Sequence, residues 1–312
     1  MTAAGNETAL MRLGTRGSPL ALVQAHETQR LAAAAQGVQP SAIAIAVIRT
    51  SGDMIQDRAL ATAGGKGLFT KELDDALLRG DIDLGVHSAK DLPTLLPDGI
   101  VLAGTLLRED VRDAFISFKA RDIMGLAQGA RVGTASLRRA AQVKRLRPDL
   151  VTDLLRGNVG TRLKKVEDGE FDATLLALAG LNRLNLAHHA TSLLPLAQFL
   201  PACGQGAVAI TIREGDSRTM ALLAPILHQP TLEALLAERA FLRALDGSCR
   251  TPIAGLATME GQSLHFRGQV LALDGGRVFE AEARGKVADA AALGQAAADD
   301  ILRHMPPDFL KA

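Results

Sequence analysis

A short apolar segment, a polar turn and a helix recur along this chain, and that repetition restricts the fold more than any other feature. "ARVGTASLRRAAQVKRL" reads as a strand, a Gly-Thr turn and a helix capped near Ser136. "VTDLLRGNVGTRLKKVEDG" repeats the unit with Asn158 as cap, and "DATLLALAGLNRL" repeats it again. Nearer the start, "SPLALVQAHETQRLAAAAQG" predicts a helix with Ser18 as cap, Pro19 in its first turn and Gly37 as its stop. "SAIAIAVIRT" follows as a strand, and "TKELDDALLRG" as a helix between a Thr70 cap and Gly80. "DIDLGVHSAKD" is a short strand that ends in polar residues, and "GQGAVAITIRE" is a later one able to return to the first sheet. Strands alternating with helices predict α/β architecture with largely parallel sheets.

The last third breaks the pattern. "TLEALLAERAFLRALDG" predicts an amphipathic helix ending at Gly247, "SLHFRGQVLALDGGRVFEAEARG" two strands around an Asp-Gly-Gly turn, and "DAAALGQAAADDILRHM" a closing helix. A chain of 312 residues is long enough for two or three domains. The expected division is a discontinuous α/β domain of residues 10–106 and 207–221, a second α/β domain of 107–206, and a small α+β domain of 222–312.

In open α/β sheets, ligands bind beyond the carboxyl ends of the strands. His87, Ser88, Lys90 and Asp91 follow "DLGV"; Ser136, Arg138 and Arg139 follow "ARVGT". Arg156, Asn158 and Arg162 follow "VTDLL", Asn182 and Arg183 follow "TLLALAG", and "GTRGSP" puts Arg16 and Ser18 at a helix start. Between Arg131 and Lys165 stand ten Lys and Arg against two acids, Asp149 and Asp153. Lys144, Arg145, Lys164 and Lys165 fit a solvated helix face. Arg138, Arg139, Arg156 and Arg162 fit it less well, because cations near a helix N-terminus oppose its dipole unless an anion is present. Arginine forks and helix N–H groups together suit carboxylates or phosphates, so a polyanionic ligand is expected. Asp91 stands among these cations, which keep a carboxylate ionised. It reads equally as an ordinary salt-bridge partner or as an anion able to stabilise a cation forming on a substrate.

Other classes are disfavoured. A net charge of +1 and the absence of Trp and Tyr argue against nucleic-acid binding. No span of 18 apolar residues is present and the opening segment lacks a secretion signal, so neither membrane insertion nor export is expected. Two cysteines, Cys203 and Cys249, make no disulfide framework, which points to the cytoplasm. There is no phosphate-binding P-loop and no G-x-S-x-G nucleophile motif. His87, His188 and His189 have no metal-ligand spacing, and His188 and His189, adjacent on a helix, are expected to point apart; no metal is expected.

Taken in order, "GTRGSPLALVQA", "GGKGLFTKEL", "VHSAKDLPT", "VGTASLRRAAQ", "LRGNVGTRL", "LALAGLNRL", "GQGAVAI" and "GSCRTPIAG" resemble the porphobilinogen deaminase (hydroxymethylbilane synthase) family over about Leu13 to Gly255. The resemblance implies two α/β domains like those of periplasmic binding proteins and a small α+β domain bearing a cysteine loop. It implies head-to-tail condensation of four porphobilinogen molecules into hydroxymethylbilane with loss of ammonia. It also implies a dipyrromethane cofactor held through a thioether at Cys249, whose thiol Arg250 would help ionise. By motif position, Lys90, Asp91, Ser136, Arg138, Arg139, Asn158 and Arg162 resemble the cofactor-binding set. Arg16, Ser18, Arg156, Arg162 and Arg183 resemble the substrate-handling set, Asp91 the catalytic carboxylate, and Lys66 with Phe69 a mobile loop. A monomer acting on a small molecule is expected. Ser51, Ser248 and Cys203 depart from the residues usual in such motifs, and Cys203, placed near the hinge, is not expected to compete with Cys249. The rival reading is an anion-binding solute receptor of the same fold class, which needs neither Cys249 nor Asp91.

Overall fold

The computed structural model describes residues 9–51, 70–246 and 251–309. Lys66, Phe69, Cys249 and Arg250 lie outside these.

The first sheet contains β1 (Met11–Arg16), β2 (Ile43–Ile48), β3 (Leu84–Ser88), β4 (Ile100–Thr105) and β10 (Val208–Arg213), in the order β2-β1-β3-β10-β4. β1 runs parallel to β2 and β3, while β10 runs antiparallel to β3 and β4. "GQGAVAITIRE" therefore does return to the first sheet. Helix α1 (Pro19–Gln36) follows β1; the Ser18 hydroxyl accepts from the Ala21 N–H, and Gly37 closes the helix at φ +64°. Alanines and Met11, Leu13 and Ile43 fill the layer between helix and sheet. On α2 (Lys71–Arg79), the Thr70 carbonyl accepts from Asp74 N–H, but the Thr70 hydroxyl makes no cap bond, contrary to its expected role.

The second sheet has the order β7-β6-β8-β5-β9. It comprises β5 (Asp113–Ile116), β6 (Arg131–Gly133), β7 (Val151–Asp153), β8 (Ala173–Ala177) and β9 (Ser192–Leu193). Here β6 is parallel to β7 and β8, and β5 antiparallel to β8 and β9. Helices α3 (Leu137–Leu146) and α4 (Val159–Glu167) start where the sequence predicts: Ser136 accepts from Arg139 N–H and Asn158 from Thr161 N–H. The strand expected over "TLLALAG" stops at Ala177, and Leu178–Arg183 forms helix α5. Apolar runs of this length read alike as strand or buried helix.

A third sheet, β11 (Ile253–Glu260), β12 (Ser263–Leu271) and β13 (Val278–Lys286), is antiparallel throughout. Two strands were expected; β11 is the addition, hidden because "IAG" reads as the end of the cysteine loop. After the short α6 (Ser217–Leu223), α7 (Gln229–Ala244) and α8 (Ala290–His304) pack on this sheet around Phe241, Phe266 and Ile301. The helical span of α7 ends before Gly247, the residue predicted to stop it.

The first two sheets are joined twice, through residues 106–112 and 194–207. Glu238 of α7 is fully buried where those crossings meet the third sheet. It takes both ends of the Arg108 guanidinium at 2.7 and 3.0 Å, and accepts from the backbone N–H groups of Gly204 and Ala257. Arg108 Nε donates to the Gln205 carbonyl, so one ion pair ties both crossings to α7. No single helix among the described residues is long and apolar enough to cross a membrane.

Candidate active site

The turn after β3 carries the catalytic candidates. Ala89–Asp91 makes one turn of 3-10 helix, pinned by Ala89 N–H to the Ala207 carbonyl on the returning crossing. Gly204 lets the crossing lie against it. Its φ is +75°, and a Cβ there would come within 2.9 Å of Lys90 N, so a side chain would be both strained and obstructed. From behind, α7 supports the same segment: Arg239 donates to the carbonyls of Pro93 and Thr94, and Leu235 packs with Ala89 and Leu92.

Asp91 is partly exposed, and its Oδ2 lies 3.7 Å from Arg16 Nη1 at the end of β1. A small cavity beside them is lined by Arg16, Ser18, Gln24, Thr70, His87 and Ser88, among others. Gln24 and Ser88 hydrogen bond across it at 3.0 Å. His87 is buried with its Nε2 3.1 Å from the Thr211 hydroxyl. Burial, helped by the Arg16 charge, pushes its pKa down to about 4, so the ring is neutral at pH 7.

The second sheet faces this turn with arginines. Arg138 and Arg139 open α3, and both are buried. Sequence reading missed their partner, Asp113, the fully buried first residue of β5. Arg139 donates to Asp113 Oδ1 at 3.0 and 2.7 Å and to the Leu175 carbonyl at 2.9 Å. Arg138 Nη1 lies 2.8 Å from Asp113 Oδ2 and donates to the Leu200 carbonyl. Gln205 adds a bond to Asp113 Oδ1. Burial alone would raise the Asp113 pKa, but the two guanidiniums outweigh it and hold the carboxyl below its ordinary range. The aspartate in "RDAFIS", an acid at the head of a short apolar run, was the available signal.

One buried carboxylate does not balance the cations around it. Burial, with repulsion from Arg139, pushes Lys90 down to about 8 despite Asp91 and Asp113 nearby. Burial, with Arg139 and Arg156, pushes Arg162 down to about 10, opposed by Asp91. Lys90 therefore lies within electrostatic reach of Asp91, Arg138 and Arg139, and Arg162 within reach of Asp91, Arg139 and Arg156, although these come from two sheets. Arg162 Nε also holds the Gly157 carbonyl at 2.8 Å. Ser136 and Asn158 serve as helix caps, with Asn158 exposed. Arg183 lies in the last turn of α5, not at a helix start; it pairs with Glu27 and donates to the Gly206 carbonyl, next to the Ala207 that pins the Asp91 turn.

Such a site suits a ligand bearing several carboxylates. Arg138 Nε is buried without a hydrogen-bond partner among the described residues, so the cluster retains a donor for a ligand carboxylate. The dipyrromethane that the sequence motifs imply fits those donors. The Cys249 attachment point lies outside the described residues. Cys203 is a buried free thiol in the crossing. Burial, then the Glu238 carboxylate, push its pKa well up. A Cβ on Gly255 would sit 2.7 Å from its sulfur, so glycine is required there to make room for it. It is a neutral packing residue of the third domain's core. Among the described residues no group of three or more His, Cys, Asp or Glu is placed to hold a metal ion. His188 and His189 do not point apart: on the 3-10 turn Ala187–His189 their rings lie 4.3 Å from centre to centre, because so short a turn does not fan side chains as an α-helix does.

Fold and site together define an α/β enzyme built on two sheets, with a cluster of cations at the Asp91 turn and a third domain tied to the two crossings. The family "porphobilinogen deaminase, dipyromethane cofactor binding domain" matches residues 11–221, and "porphobilinogen deaminase, C-terminal domain" matches residues 232–303. The porphobilinogen deaminase of Nitrobacter hamburgensis is 55% identical over 301 residues, covering 96% of this chain and 95% of that protein. That of Nitrobacter winogradskyi is 56% identical over 292 residues, covering 94% and 92%. The chain belongs to the porphobilinogen deaminase family. Among solved structures, a methionine-bound nutrient-binding protein from Burkholderia cenocepacia aligns at 16% identity with a TM-score of 0.43, covering 72% of this chain and 93% of that one.

Proposed function

We infer that this chain is a transferase that joins four porphobilinogen molecules head to tail into hydroxymethylbilane, releasing ammonia, in tetrapyrrole biosynthesis. The observation that carries this reading is the gathering of Arg16, Lys90, Arg138, Arg139, Arg156 and Arg162 from two sheets around two carboxylates, Asp113 buried against Arg138 and Arg139 and Asp91 partly exposed beside Arg16. The dipyrromethane cofactor supplies the nucleophilic pyrrole carbon from which the product chain starts. Arg138, Arg139, Lys90 and Arg162 hold its acetate and propionate groups, with Ser136 and Asn158 presenting the helix starts from which those arginines project. Arg16, Ser18, Arg156 and Arg183 receive the carboxylates of incoming porphobilinogen. Asp91 faces the substrate pyrrole N–H and stabilises the positive charge left on that ring as ammonia departs. Cys249 carries the cofactor. The domains run 10–106 with 207–221, 107–206, and 222–312, and the enzyme works as a cytoplasmic monomer. The receptor alternative gives no use for Asp91 among the arginines, and it is not the better supported reading.

The mass of the purified, denatured chain tests the reading. It is expected to exceed the polypeptide mass by two pyrrole units, with the adduct mapping to Cys249. Cys249→Ser is expected to fold, carry no adduct and lose activity, whereas Cys203→Ser keeps both. An adduct on Cys203, or a bare chain from an active preparation, overturns the assignment.

A further inference from the structure

Arg183 ends α5 on the second sheet, yet its guanidinium reaches out of its own lobe. Nε donates to Glu27 Oε2 at 3.2 Å, and Nη2 donates to the Gly206 carbonyl at 3.2 Å. Glu27 belongs to α1 on the first sheet, and Gly206 to the crossing between the sheets. The ion pair is thus made from lobe to lobe. The two helices touch beside it: a Cβ on Gly180 of α5 would stand 3.6 Å from Leu20 of α1. Asn182, the preceding residue, donates to Glu109 Oε1 on the other crossing, which fixes the end of α5.

The pair is loosely made. It joins one nitrogen to one oxygen, longer than the roughly 2.7–2.9 Å of a strong charged bond. Arg108 and Glu238 show the alternative in this same chain, a two-pronged contact at 2.7 and 3.0 Å. The Arg183 side chain is 8% exposed while Glu27 is 33% exposed, so the cation is sheltered and its anion faces water. Glu27 is not needed to hold α5, since a cation in the last turn is already favoured by the helix dipole.

We propose that Glu27 is a placeholder carboxylate, which occupies Arg183 between the lobes until a carboxylate of incoming porphobilinogen takes the guanidinium. Each addition then begins with the exchange of one carboxylate for another, and the exchange releases α1 from α5 as the new unit enters. The inference rests on the reading of Arg183 as a substrate-handling residue. Glu27 competes with substrate, so the apparent dissociation constant is the intrinsic one divided by the fraction of Arg183 that Glu27 leaves free.

The test uses cofactor-bearing enzyme in five forms: wild type, Glu27→Gln, Glu27→Asp, Arg183→Leu, and Glu27→Gln with Arg183→Leu. Two quantities are read, KM for porphobilinogen and the intact-mass profile of chains retaining substrate units at limiting substrate. Glu27→Gln is expected to lower KM by about twofold to fivefold, the range set by a pair of this exposure, and to increase retained substrate. Glu27→Asp is expected to stay near wild type, because it keeps the competing charge. The double variant is expected to match Arg183→Leu alone. An unchanged or raised KM in Glu27→Gln, or an equal change in Glu27→Asp, overturns the placeholder role; an altered Arg183→Leu profile would then leave the reading of Arg183 standing. A wild-type KM and profile in Arg183→Leu overturns that reading and the placeholder role with it.

Discussion

Asp91→Asn is expected to give a folded enzyme whose turnover falls by at least about a hundredfold, the scale on which one preorganised polar group acts in a transition state. The step at risk is loss of ammonia, which leaves a positive ring. Arg16 lies 3.7 Å from Asp91, Lys90 is its chain neighbour, and Arg162 feels its charge. These cations attract substrate carboxylates and oppose a new cation. On the proposed reading, the one partly exposed carboxylate in the turn offsets them at the substrate pyrrole nitrogen. Asparagine keeps the shape and hydrogen bonding of the side chain and removes only the charge. KM, which reports carboxylate recognition by the arginines, should move far less than kcat. If cofactor assembly draws on the same chemistry, the variant needs loading with preformed hydroxymethylbilane before assay. Turnover within about tenfold of wild type, a barrier change of about 1.4 kcal/mol, would contradict an electrostatic role for Asp91.

Much of this arrangement is legible in the residue order, for reasons that differ by element. Helix starts at Ser18, Ser136 and Asn158 are local chemistry, a side-chain oxygen accepting from an N–H three residues on, and each cap forms as read. The cations of the cleft are legible because they follow predicted strands at helix starts, and their mutual influence across two sheets accords with one shared site. What stays hidden is long-range pairing. Asp113 meets Arg138 and Arg139 from 25 and 26 residues away; an acid heading the apolar run of "RDAFIS" hints at a buried partner but does not say which cations it pairs with. Glu238 looks like an ordinary polar residue of an amphipathic helix, but is fully buried because two crossings converge on it. Glu27 sits within a motif-bearing helix and gains meaning only once α5 is brought against it. Local propensity fixes neither which residues oppose one another nor how tightly, and Thr70 shows the same limit: its hydroxyl makes no cap bond in a residue otherwise placed to cap α2.

Removing the Asp113 charge should have the largest effect on stability. Asp113→Asn leaves Arg138 and Arg139 buried against a neutral amide, and breaking a buried pair in this way costs about 3–5 kcal/mol. The cofactor-free chain should therefore unfold at markedly lower denaturant than wild type at pH 7. The cofactor-bearing chain should lose less, because cofactor carboxylates supply anions to the same guanidiniums. The pH dependence has a definite sign. The Asp113 carboxyl is held below its ordinary range in the folded chain, whereas an unfolded aspartate titrates near about 3.9. Its stabilisation is thus complete above the unfolded value and declines as pH falls through that value toward the lower folded one. Denaturation curves of wild type and Asp113→Asn should converge as the medium is acidified below about pH 4. Equal midpoints at pH 7, or a gap that does not narrow in acid, would show that Asp113 is not the counter-ion on which this cluster depends. The comparison also separates two roles for the arginines. If the cofactor-bearing variant regains most of the lost stability, Arg138 and Arg139 are shared between the fold and the ligand, with Asp113 ordering them in advance of the carboxylates they later hold.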